Sequence, residues 1–169
     1  MTGYFHVLTA IDIFVLSFMC ILTKLSESLN KKQKRGFFLA FTLIAGISVL
    51  EVVTLAVNDT PSELRWLNIV SNYLGFGLSP AVSLCLVYVL DEKQGVRRGF
   101  KTAVACEAAY LISLALMLPG GMVFSVSEEN LYSRGDFFAF YVTAYFAALV
   151  YLAPVRPSRR VCSRIAAAY

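Results

Sequence analysis

Charge is scarce in this chain, and the residues that do chemistry are scarcer. Asp, Glu, Lys and Arg make up 15% of its 169 residues and hydrophobic residues 58%, whereas soluble globular domains carry about 25% charge. There is one histidine, His6. No nucleophile therefore has a histidine base beside it, and no metal set can be assembled from imidazoles. The four cysteines, Cys20, Cys85, Cys106 and Cys162, show no CxxC spacing. Three of them lie in apolar runs, where a thiol packs as a small hydrophobe. That pattern argues against a disulfide framework and, more strongly, against a zinc site. The expectation is a chain that is not an enzyme, with no catalytic residues, no metal and no cofactor.

What is present in quantity is apolar sequence, with a mean hydropathy of +0.67. A membrane-crossing helix needs about 20 mostly apolar residues. Five runs qualify, at 4–22, 37–57, 66–90, 100–118 and 137–155. The prediction is an all-α, polytopic helical bundle forming one domain over 1–169. Pro80 marks the expected bend in the third run. No basic segment precedes the first run, so it does not read as a cleavable signal peptide.

The basic residues set a direction. All of the 15 except Arg65 and Arg134 fall in the segments 24–35, 93–101 and 156–164. Short loops rich in Lys and Arg stay in the cytoplasm, which predicts an outer N-terminus and an inner C-terminus. These loops lack interleaved aromatics, so they read as partners of lipid headgroups and not of nucleic acid. The segment 156–169 reads as a basic cytoplasmic tail or, at "IAAAY", as the start of a sixth helix.

Ionisable groups inside a span cost roughly 2.5–3.5 kcal/mol each and tend to mark function. Asp12, Glu51 and Glu107 stand in the apolar runs. With about 1.5 Å of rise per residue, Asp12 lies about 12 Å and Glu51 about 9 Å below the outer surface. Asn68 and Asn72 lie roughly 3 and 9 Å deep, and Tyr141 and Tyr145 about 6 and 12 Å. Each of those two pairs shares one helix face through its i,i+4 spacing. Four helices are thus expected to bring polar groups to one outer layer. Either these groups hydrogen-bond helix to helix, or Asp12 and Glu51 share a ligand or cation. Glu107, among alanines, is expected to hydrogen-bond within a tight helix contact. Small residues such as Ala144 and Ala148 suit helix contacts within the chain or in a homodimer.

Pro119, Gly120 and Gly121 end the fourth run. "MVFSVS" then alternates like a strand, "EEN" turns and "LYSRG" returns. The expectation is a small outer β-hairpin over the mouth of the bundle. Arg134 would either reach Asp12 and Glu51 or an anionic ligand, or pair locally with Glu128, Glu129 or Asp136.

The stretch "FSVSEENLYSRGDFF", with Phe124, Asn130, Tyr132, Arg134 and Gly135, resembles the outer loop of a sensory membrane module. That module stands at the N-terminus of bacterial diguanylate cyclases of the GGDEF type and of some histidine kinases. "IDIF" with Asp12, and "NYLGFGLSP" with Asn72 and Pro80, agree with it, as does Tyr88. The resemblance implies a multi-pass protein of the bacterial plasma membrane. It would bind an extracytoplasmic small ligand and drive a cytoplasmic output domain or partner, with Asp12, Glu51, Asn68, Asn72, Asn130, Tyr132 and Arg134 as candidate ligand contacts. The family usually has a further helix and an output domain, whereas this sequence ends where the helix would begin. "PGGMVF" also lacks the cyclase signature. The other reading is a small proton- or cation-coupled transporter using Asp12 and Glu51. No internal repeat supports that reading, and its polar layer sits high for a transport site.

Overall fold

The computed structural model of the protein describes residues 2–90 and 97–152, with side chains for 7–89 and 100–150. Five α-helices account for most of the described residues: α1 (Thr2–Leu25), α2 (Lys31–Val57), α3 (Arg65–Leu90), α4 (Arg97–Met117) and α5 (Phe138–Leu152). Four stretches are long and apolar enough to cross a membrane: Val7–Leu25, Lys31–Val57, Ser62–Val89 and Phe100–Met117. The fifth expected span, 137–155, runs past the described residues. Within them its apolar helical part is Phe138–Val150. The tail at 156–169, the side chain of His6 and Cys162 also lie outside the described set.

The helix ends follow local chemistry more than hydropathy. α2 begins six residues before the apolar run, because Asn30 and Gln33 form a reciprocal capping box. The Gln33 amide donates to Asn30 Oδ1 at 2.9 Å, and the Asn30 amide donates to Gln33 Oε1 at 3.0 Å. A capping box satisfies two of the amides that every helix start leaves without partners. At the end of α1, Lys34 Nζ donates to the Lys24 carbonyl at 2.9 Å. A cation belongs there, beside the negative end of a helix dipole.

α3 is the axis of the bundle. Of its most apolar window 33% is buried by the rest of the chain, against 0% for α1. α2, α4 and α5 all pack on α3, while α1 packs chiefly on α2. Close approach of α2 to α3 depends on Gly36, where a Cβ would collide with the Val89 side chain.

Pro80 sits inside α3 and has no amide hydrogen to give the carbonyl one turn earlier. That carbonyl, of Phe76, instead accepts from the Tyr110 hydroxyl of α4 at 3.1 Å. Tyr73 of α3 reciprocates, its hydroxyl donating to the Leu111 carbonyl at 3.1 Å. Two phenols thus tie α3 to α4, one at the interrupted carbonyl and one about a turn before it. Neighbouring helices commonly re-satisfy backbone groups that a proline frees in an apolar surrounding.

The expected hairpin is present. β1 (Phe124–Val126) pairs antiparallel with β2 (Tyr132–Arg134), with Ser125 opposite Ser133. Its inward side chains join the main buried cluster: Val123, Phe124 and Val126 with Tyr110 and Leu114. Phe76 is the hub of an aromatic group there, with ring centres 4.7 Å from Tyr141, 5.5 Å from Phe124 and 5.8 Å from Phe138. The best-packed core therefore lies at the hairpin end of the bundle and not at its middle.

Candidate functional site

The hairpin is tied down by an amide network centred on Asn130. This residue has φ +61 and is 0% exposed. Asparagine tolerates the left-handed region better than other residues with a Cβ. Its Nδ2 donates to the Val57 carbonyl at 2.7 Å and to Thr60 Oγ1 at 3.1 Å. Val57 ends α2 and its carbonyl also accepts from Thr60, so a hairpin side chain joins the bonds that close this helix end. Asn130 Oδ1 accepts from Asn68 Nδ2 at 2.9 Å, and Asn68 Oδ1 accepts from Asn72 Nδ2 at 2.8 Å.

Two further ties reach the same place. The Tyr132 amide donates to Asn58 Oδ1 at 2.8 Å. Arg65 donates through Nε and Nη2 to the Val126 carbonyl, at 3.1 and 2.9 Å. A hairpin made of two three-residue strands has little stability of its own. These bonds, with the apolar underside, fix it to the α2–α3 turn and to α3.

Below the cap, a groove of about 310 Å³ opens between α2, α3 and α5. Its polar wall is Glu51, Thr54, Ser71, Asn72, Ser79 and Tyr141, and Gly75 lies at its floor with nothing within 4 Å of where a Cβ would be. No Lys, Arg or His lines it. Among the described residues the Glu51 carboxylate has no hydrogen bond and no ion pair. A second, more apolar cleft of about 450 Å³ separates α4 from α5, with Glu107 on its wall.

The residues expected to form one outer layer divide into distinct groups. Glu51 and Asn72 meet at the groove, joined by Tyr141. Asn68 and Asn130 are wholly buried in the latch. Tyr132 stacks on Phe124, ring centres 6.2 Å apart. Burial pushes the Tyr132 hydroxyl above its ordinary range, against a smaller opposing pull from the guanidinium of Arg134. Arg134 does not reach Glu51, Asp12 or a local acid. Its guanidinium lies 4.8 Å from the centre of the Phe138 ring, a cation–π contact.

Asp12 does not join Glu51. It is exposed on α1 and lines neither groove. The expected hydrogen bond of Glu107 is also missing: its Oε1 is buried with no partner among the described residues. The α5 residues across that cleft, Ala144, Ala147 and Ala148, carry no side-chain donor.

Asn58, Thr60 and Arg65 were not anticipated as contributors, nor were Ser71, Thr54 and Ser79. Asn58 and Thr60 sit in the short turn after α2, where polar residues ordinarily signify only a loop. Among the described residues no three metal-ligating side chains come together. No family model matches the chain, and neither does any curated protein or solved structure.

Proposed function

We propose that the chain is a multi-pass plasma-membrane sensory module of bacterial type. In this reading five helices cross the bilayer, with the N-terminus and hairpin outside and the C-terminus inside. A ligand enters the groove at Glu51 and Asn72 from the outer side and biases how α2 and α5 lean on α3. The cytoplasmic ends pass that bias to an output domain or partner. A ligand can shift such an equilibrium only by binding one packing more tightly than the other.

One observation carries the reading: Glu51 lines an open groove and has no partner among the described residues. An ionisable group so placed is costly, and its usual use is functional. The asymmetry of basic residues supports the orientation, and the resemblance of the hairpin stretch supports the sensory class. The transporter reading needs Asp12 beside Glu51, and Asp12 does not line the groove.

The test fills the groove covalently. A benzyl thiol reagent is attached at Thr54→Cys in a cysteine-free background, and amide hydrogen exchange is followed. Exchange should change at the inner helix ends, 31–38 and 84–90, and stay constant in the hairpin. Unaltered exchange at the inner ends would contradict a signalling role.

A further inference from the structure

The groove has a marked imbalance of donors and acceptors. Asn72 Nδ2 is engaged by both Asn68 Oδ1 and the Asn68 carbonyl, at 2.8 and 2.9 Å, which leaves Asn72 Oδ1 as an acceptor with no partner. Ser79 Oγ donates its hydrogen to the Gly75 carbonyl at 2.6 Å, so it too presents only lone pairs to the groove. Glu51 adds two carboxylate oxygens that receive nothing from the described residues. The hydroxyls of Thr54, Ser71 and Tyr141 can accept as well as donate. An anion would meet a carboxylate and lone pairs here, with no cation to hold it.

We propose that the groove binds a small primary ammonium compound with an apolar body. An ammonium has three donors and no acceptor, which is the complement of Glu51 and Asn72 Oδ1; Ser79, seven residues or about 10 Å further along α3, offers its lone pairs deeper in the groove. The remaining wall, Ile47, Leu55 and the rings of Phe76 and Tyr141, suits a short aliphatic or aromatic body. Aromatic faces also attract a cation. At the ~30 Å³ that a water molecule occupies, the cavity has room for roughly ten heavy atoms. A small monoamine fits that space. The inference rests on the reading of this groove as the ligand site.

The test uses three probes of one shape on the protein in nanodiscs, with empty nanodiscs subtracted: 2-phenylethylamine, 2-phenylethanol and phenylacetate. The amine should bind about tenfold or more tighter than the alcohol, and the carboxylate should not bind measurably. Glu51→Gln should bring the amine down to the level of the alcohol and leave the alcohol unchanged. Gly75→Leu should abolish binding of both, because its Cβ enters open space and the rest of the side chain fills the groove that Gly75 lines. Alcohol and amine binding equally, both lost in Gly75→Leu and both indifferent to Glu51→Gln, would overturn the ammonium assignment while the groove remains a ligand site. Binding that persists in Gly75→Leu, or no binding of any probe, would overturn both.

Discussion

Asn68 and Asn130 stand 62 residues apart in sequence and meet amide to amide at 2.9 Å, both wholly buried. Each satisfies the other, and through Asn130 the bond continues to the end of α2. Leaving a buried polar group unpaired costs about 1–3 kcal/mol. Asn68→Ala and Asn130→Ala should each lower stability by about that amount, and the double variant by less than the sum of the two. Unfolding of the three variants in detergent, compared in a double-mutant cycle, measures the coupling.

Tyr110 supplies the donor that Pro80 lacks. Tyr110→Phe should therefore destabilise the bundle by about 1 kcal/mol, the scale of a hydrogen bond between membrane helices. In a Pro80→Ala background the amide of residue 80 can reach the Phe76 carbonyl, and the same substitution should then cost much less. Equal costs in the two backgrounds would show that the hydroxyl serves some other purpose.

Gly135 and Gly46 should respond in opposite ways to alanine. At Gly135 a Cβ would overlap the carbonyl oxygens of Met122 and Gly121. These are backbone atoms that cannot swing away, so Gly135→Ala should loosen the hairpin and cost more than about 2 kcal/mol. At Gly46 nothing lies within 4 Å of the new Cβ. Gly46→Ala should be neutral or stabilising by up to about 1 kcal/mol through helix propensity. Protease sensitivity of the hairpin, alongside thermal unfolding, separates the two.

The half-buried Tyr132 gives the cap an alkaline limit. Its ionisation is raised in the folded protein, chiefly by desolvation, above the ordinary tyrosine value of about 10. The stabilising contribution is therefore fully present below about pH 10 and is lost as pH rises toward the folded-state value. The melting temperature should fall more steeply above pH 10 in the parent than in Tyr132→Phe. Parallel slopes would contradict the assignment.

What the sequence discloses and what it hides have different physical origins. Depth along a helix follows from its rise, so the levels of Glu51, Asn72 and Tyr141 were readable, and these three do line one groove. Direction around the axis is readable only where polar and apolar faces differ. On α1, Thr9 and Asp12 share a face, but the sequence does not say which neighbour that face meets. The hairpin was legible because alternation, a polar turn and Gly135 all coincide within 15 residues. The latch was not: Asn58 meets Tyr132, and Asn130 meets Val57, across more than 70 residues. No local pattern encodes such a meeting.

The central claim is that the groove beside Glu51 opens to the outer side beneath a fixed cap. Its most direct test is labelling with a membrane-impermeant thiol reagent, added outside intact cells, in a cysteine-free background. Thr54→Cys in the groove and Glu129→Cys in the hairpin turn should both react, while Ser28→Cys between α1 and α2 should react only after permeabilisation. Reaction at residue 28 from outside, or silence at residue 54 while residue 129 is labelled, would contradict it.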